Sequence, residues 1–157
     1  MSTRATPGDI FAALFAAHNV GDYWVQTARQ AAGKGAPGRS GRMACGRHVA
    51  TMTACKALSL GVLHASGRRI SWRRASAALA ADAASHYWAD RRTTLAALAG
   101  RLDATVSPGK GEFYRLGAPR PGRDDNPCLG TGAALLDQAF HVAWLWAAAI
   151  AAAGPAD

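Results

Sequence analysis

The chain has 157 residues, 18 Lys and Arg against 10 Asp and Glu, a formal net charge of +8 and 50% hydrophobic residues. That length suits one domain and that apolar share fills a core, which excludes a disordered chain, a disulfide-built scaffold and a multidomain enzyme. Glu112 is the sole glutamate, so acidic chemistry rests on nine aspartates.

The first helix is expected over about residues 9–29, with Asp9 as N-cap and Phe11, Phe15, His18, Asp22 and Val25 as its inward stripe. Gly21 weakens it from within. Residues 33–41, rich in Gly and Pro, read as a loop. A second helix follows over about 42–65 and stops at Gly67. A third covers about 71–92, with an extension towards Gly100. The fourth runs from a cap at Asn126 and an N1 proline at Pro127 to Ala153, ahead of Gly154-Pro155. Residues 101–125 carry no strand pattern and read as a long loop, either functional or disordered, and the spacing does not decide whether it orders over the site as a lid. The expected fold is all-α: one domain over residues 1–157, an up-down-up-down four-helix bundle with a long irregular loop before the last helix.

Residues 1–9 lack the pattern of a secretory leader. Cys45, Cys55 and Cys128 are odd in number and lack C-x2-C spacing, as expected of reduced thiols in a cytoplasmic protein. Residues 133–153 approach the length of a membrane span, with only Asp137 and His141 ionisable. Four spans would put the connections 26–47 and 66–74 on opposite faces. Arg29, Lys34, Arg39, Arg42 and Arg47 lie in the first, and Arg68, Arg69, Arg73 and Arg74 in the second. Positive charge on both faces runs against the positive-inside rule, so a soluble or peripherally membrane-associated chain is expected. The charge excess suits an anionic partner: nucleic acid, nucleotide or lipid headgroup. A solubilising surface accounts for it equally well.

The chemistry concentrates in three His/Asp pairs four residues apart: His18 with Asp22, His86 with Asp90, and Asp137 with His141. On a helix each pair shares one face. His precedes Asp on the first and third helices, and Asp precedes His on the fourth, which in the expected topology runs against them. The reversal sets the histidines at one level and the aspartates about one 5.4 Å turn away. His48, on a stripe with Cys45, Met52 and Cys55, joins from the second helix. Together His18, Asp22, His48, His86, Asp90, Asp137 and His141 make a ligand set for one or two divalent ions, Zn²⁺, Mn²⁺ or iron. Taken singly, each pair is an ordinary local hydrogen bond. As a convergent set, buried carboxylates need cations.

Asp22, Asp90 or Asp137 would serve as base towards a metal-bound water, with Arg91, Arg92, Arg47 and Arg115 neutralising an anionic substrate. The segment 124–132 opens the last helix, whose free amides can also hold an anion. His64 reads as a surface or cap residue, Cys45 as a buried thiol, and Trp24, Trp88, Trp144 and Trp146 as core filler.

These residues bear a family resemblance. His18-x3-Asp22 followed by Gln26, a second-helix histidine, Ser85-His86-x3-Asp90-Arg91-Arg92 and Asp137-Gln138-x2-His141 resemble a family of small uncharacterised bacterial and mobile-element helical proteins, a domain of unknown function. The likeness spans most of the chain. It implies an α-helical protein whose polar positions act as a set, a continuous first helix through Gly21, and kinship with proteins that look membrane-bound. It implies no activity.

The leading expectation is a metal-dependent hydrolase of a phosphorylated or nucleotide-like substrate. Its rivals are a non-enzymatic module binding nucleic acid or an anionic membrane surface, and a purely structural bundle.

Overall fold

The computed structural model describes residues 3–118 and 130–154. The fold is all-α, with seven helices among the described residues and only two strands, β1 (Thr3–Arg4) and β2 (Arg68–Arg69), which pair in parallel.

Helix α1 spans Pro7–Val20. Its N-cap is Thr6, not Asp9: the Thr6 hydroxyl accepts from the Asp9 amide at 3.1 Å, and the Asp9 carboxylate accepts from the Thr6 amide at 2.9 Å. This reciprocal capping box places Asp9 three residues inside the helix. The inward face is Ile10, Leu14, Ala17, His18 and Gly21, whereas Phe15 and Val25 point outward. The expected stripe is thus met in part: His18 is buried and Phe11 packs against the core, while Ile10 and Leu14 take the inward places expected of Phe15 and Val25.

At Gly21 the helix neither ends nor continues regularly. It widens into a π-turn, Gly21–Val25, in which the Gln26 amide donates to the Gly21 carbonyl at 2.9 Å. The expected continuation to residue 29 breaks at Gln26. A second capping box, Thr27 with Gln30, then starts the short α2 (Ala28–Gly33).

Helix α3 spans Gly38–Ala65 and so begins inside the expected loop. Helix α4 spans Trp72–Asp90. The expected extension towards Gly100 is a separate helix, α5 (Thr93–Thr105), because Arg92 turns the chain at φ 58°, the one positive φ outside glycine among the described residues. Part of the expected long loop is helical: α5 continues to Thr105, and α6 spans Lys110–Arg115. Helix α7 spans Gly132–Ala153 and is capped by Thr131, whose hydroxyl accepts from the Ala134 amide at 3.1 Å. The cap expected at Asn126 and Pro127, and most of the segment 124–132, lie outside the described residues.

Four long helices, α1, α3, α4 and α7, pack around one core: α1 against α3 and α7, and α4 against α3 and α7. Ile10, Leu14, Leu60, Leu79 and Leu145 fill it, with a run of α7 alanines. At one end β1 lies on β2, and Arg4 and Arg74 donate to the Ala153 carbonyl at the close of α7. The π-turn, α2 and the start of α3 gather at the other end beside the close of α4. Trp24, Trp88, Trp144 and Trp146 do not fill this core. All four are exposed, Trp24 at 86% and Trp146 at 61%.

Candidate metal centre

One helical turn separates His18 from Asp22, and likewise His86 from Asp90 and Asp137 from His141. In the fold these pairs reach one another. The His18, His86 and His141 rings cluster, with centroids 4.0 Å apart for His86 and His141 and 5.2 Å for His18 and His141. His48 enters from α3, its ring centroid 5.1 Å from that of His86. All four histidines and Asp90 are buried.

Gly21 permits this convergence. A Cβ there would stand 2.5 Å from the Met52 sulfur, so the absent side chain lets α1 lie close against α3. The π-turn begins at the same residue, and π-turns recur at functional sites because they re-aim side chains. Here the re-aimed residue is Asp22.

The four imidazoles present Nε2 to three carboxylates, Asp22, Asp90 and Asp137. His18 Nε2 is 3.2 Å from Asp22 Oδ2, and His48 Nε2 is 3.3 Å from Asp22 Oδ1. Asp90 Oδ2 lies 3.3 Å from both His48 Nε2 and His86 Nε2, and these two nitrogens are 3.1 Å apart. His141 Nε2 stands 3.8 Å from Asp90 Oδ1 and 3.5 Å from Asp137 Oδ1.

These separations are longer than charge-assisted hydrogen bonds, at about 2.7–2.9 Å, and close to the edges of a ligand tetrahedron. Ligands bound to Zn²⁺ at about 2.0–2.1 Å lie about 3.3–3.4 Å from one another. His48 Nε2 stands at that spacing from Asp22 Oδ1 and Asp90 Oδ2, and His86 Nε2 does so from Asp90 Oδ2. Two groups meet the reach of a single ion, Asp22 with His48 and His86, and His86 with Asp90 and His141. Both His18 ring nitrogens, Asp22 Oδ1, both Asp90 oxygens, His86 Nδ1 and His141 Nε2 are buried without a well-directed hydrogen bond. Buried polar atoms are normally satisfied, so, Asp90 Oδ1 apart, which faces the Lys34 ammonium, these atoms suit a cation among them.

Three further residues support the site. Lys34 Nζ is 2.8 Å from Asp90 Oδ1, with its side chain 11% exposed. Gln26 places its amide 2.9 Å from His48 Nδ1, and Gln138 donates to Asp22 Oδ2 at 3.2 Å. Such outer partners fix the orientation of ligating rings and carboxylates. Gln26 and Gln138 stand within the resemblance motifs. Lys34 lies in the glycine-rich stretch between α2 and α3, where spacing says nothing.

Arg91 donates to the Lys34 and Ala36 carbonyls, both at 2.7 Å, and Arg92 donates to the Ala31 carbonyl at 3.0 Å. The structure therefore places these two arginines on the segment that delivers Lys34. Arg47 is exposed beside His48, and Arg115 is exposed on α6. Asp137, 25% exposed, is the most accessible of the three carboxylates. Tyr114 is half-buried nearby, its hydroxyl 3.4 Å from the Arg92 carbonyl. Burial raises its phenol above the ordinary value, Asp137 adds to the rise and Arg92 opposes it. His64 is exposed and accepts from the Ile70 amide at 3.2 Å. Cys45 is a buried free thiol.

Comparison of the chain with protein-family models, curated proteins and solved structures finds no match.

Proposed function

We propose that the chain is a metal-dependent hydrolase of a phosphorylated or nucleotide-like substrate, its four long helices forming an up-down-up-down bundle around the ion. The observation that carries the reading is the set of Nε2 and carboxylate atoms at 3.1 to 3.3 Å, His48, His86, Asp90 and Asp22. These four hold one Zn²⁺, Mn²⁺ or iron ion. His141 and His18 complete the shell or serve a second ion.

Held by these residues, a divalent ion would supply Lewis acidity, with a water made acidic enough to act as a nucleophile at neutral pH. Asp137, partly open to solvent, takes the proton, and Asp22 and Asp90 balance the ion's charge. Lys34 is the nearest fixed cation for a phosphoryl oxygen. Arg91 and Arg92 support it through the backbone, and Arg47 and Arg115 add positive potential from farther out.

Metal analysis of protein purified without added metal tests the reading, together with thermal unfolding in the presence of Zn²⁺ or Mn²⁺. At least half an equivalent of metal and a raised Tm are expected. Less than about a tenth of an equivalent, with no stabilisation by either ion, overturns it.

A further inference from the structure

Outside the centre, the distribution of charge over the four long helices carries an inference of its own. On α1, the side chains exposed over residues 10–25 include no charged group. The same holds on α3 over 50–65, on α4 over 75–88 and along all of α7. The outward face consists of alanine and large apolar residues such as Phe15, Leu58, Val62, Trp88, Trp146 and Ile150, with Leu58 and Val62 each 71% exposed. All five tryptophans are exposed. Apart from the exposed Tyr23 and His64, near the ends of their segments, the ionisable groups here point inward: the centre itself, and Lys56, whose ammonium lies 2.6 Å from Asp82 Oδ2 with both side chains buried.

A helix at a water-facing surface normally carries a polar face, whereas one that is apolar all round has a non-aqueous neighbour on every side. Helix α7 is the clearest case. It is long and apolar enough to cross a membrane, yet only 22% of its most apolar window is buried within the molecule. A core helix of a water-soluble fold would be mostly covered.

We infer that the four long helices are embedded in a lipid bilayer, with the metal centre enclosed at one end of the embedded belt. A second copy of the chain would cover one face, but the uncharged surface runs over all four helices. At 1.5 Å per residue the four segments rise about 21–33 Å, against a hydrocarbon thickness of about 30 Å. The hydroxyls of Thr51, Thr53, Ser59 and Ser85 donate to backbone carbonyls within the fold, as required where no water can serve them. Ser76, exposed near one edge of the belt, is the nearest to an exception. Arginines border both edges. Arg68, Arg69 and Arg73 lie at one end with Trp72, and Arg39, Arg42 and Arg47 lie at the other with Tyr23 and Trp24. Basic and aromatic side chains of this kind meet headgroups, and although arginines on both edges depart from the positive-inside rule, they can pair with anionic headgroups of either leaflet.

The test uses the full chain. After cell disruption and an alkaline carbonate wash it is expected to stay in the membrane pellet and to need detergent for release. Reconstituted into phosphatidylcholine–phosphatidylglycerol vesicles with brominated acyl chains, it is expected to lose more than half of its tryptophan emission relative to unbrominated vesicles. Leu58→Arg with Val62→Arg puts charge inside the belt and is expected to move the chain out of the pellet, whereas Leu58→Ala with Val62→Ala stays. Recovery without detergent as a monodisperse monomer or oligomer overturns the inference, and so does tryptophan emission unchanged by brominated lipid. Neither measurement depends on metal, so failure here leaves the hydrolase reading standing, and the reverse.

Discussion

The Nε2 atoms of His48 and His86 face one another at 3.1 Å, both rings buried. Two lone pairs repel at that distance and two N–H groups collide, so a proton or a cation must stand between them. Asp90 Oδ2, 3.3 Å from each nitrogen, closes a triangle round that point. The Gln26 amide beside His48 Nδ1 can turn its oxygen to accept from Nδ1–H, which leaves the Nε2 lone pair for an ion.

His48→Ala and His86→Ala are therefore each expected to reduce bound metal from about one equivalent to under a tenth, whereas His64→Ala retains it. Saturation of the wild type at a hundred times Kd adds about 2.7 kcal/mol, a rise in Tm of about 5–10 °C for a chain of this size. Imidazoles must be unprotonated to bind, so metal affinity should fall as the solution is acidified. Calorimetric titration with Zn²⁺ at two pH values reads both effects. Equal metal content in all three variants would show that the triangle is not the binding point.

A bound ion would compete with Lys34 for Asp90. Its ammonium lies 2.8 Å from Oδ1, and Arg91 holds its backbone in place. Lys34→Gln should lower the Tm of the metal-free protein, because a buried carboxylate loses its partner, at a cost of up to about 3 kcal/mol. The same change should tighten metal binding about tenfold by removing a positive charge beside a ligand. Weaker metal binding in Lys34→Gln would mean that the lysine orients Asp90 rather than opposing the ion.

The difference between what the sequence discloses and what it hides follows from the range of the contacts. His18 with Asp22, His86 with Asp90 and Asp137 with His141 are legible because the α-helical period alone puts each pair on one face. Lys34 is not, because its place depends on contacts from Arg91 and Arg92 across about 60 positions of chain. The helical class is legible in the run of alanines. The π-turn is not, since it answers to Met52 packing over Gly21. The tryptophans mislead most, because hydrophobicity says that a side chain leaves water and not which side of the helix it leaves by.

Two glycines should respond differently to alanine. At Gly21 the added Cβ meets the Met52 thioether, a flexible group that can move aside, and a loss of about 1–2 kcal/mol is expected. At Gly41 it would lie 1.9 Å from the Ala36 carbonyl oxygen, which is backbone and belongs to the segment that carries Lys34. Gly41→Ala should cost more than Gly21→Ala and should also disturb the Lys34 to Asp90 contact. Denaturant unfolding of the two variants gives the order, and the reverse order would mean that the 33–37 segment yields more easily than Met52.

The buried pair of Lys56 and Asp82 separates folding from metal binding. It joins α3 to α4 about one turn beyond His86, at 2.6 Å, and touches none of the proposed ligands. Lys56→Met leaves Asp82 uncompensated and Asp82→Asn leaves Lys56 so, and each should cost about 3–5 kcal/mol. Together they replace an ion pair by a neutral contact, and most of that loss should return. A double-mutant cycle on unfolding free energy then gives a coupling of several kcal/mol, well above the usual surface pair at about 0.2–1 kcal/mol. A coupling below about 1 kcal/mol would show that water reaches the pair. It would also count against the dry interior that the metal centre shares with it.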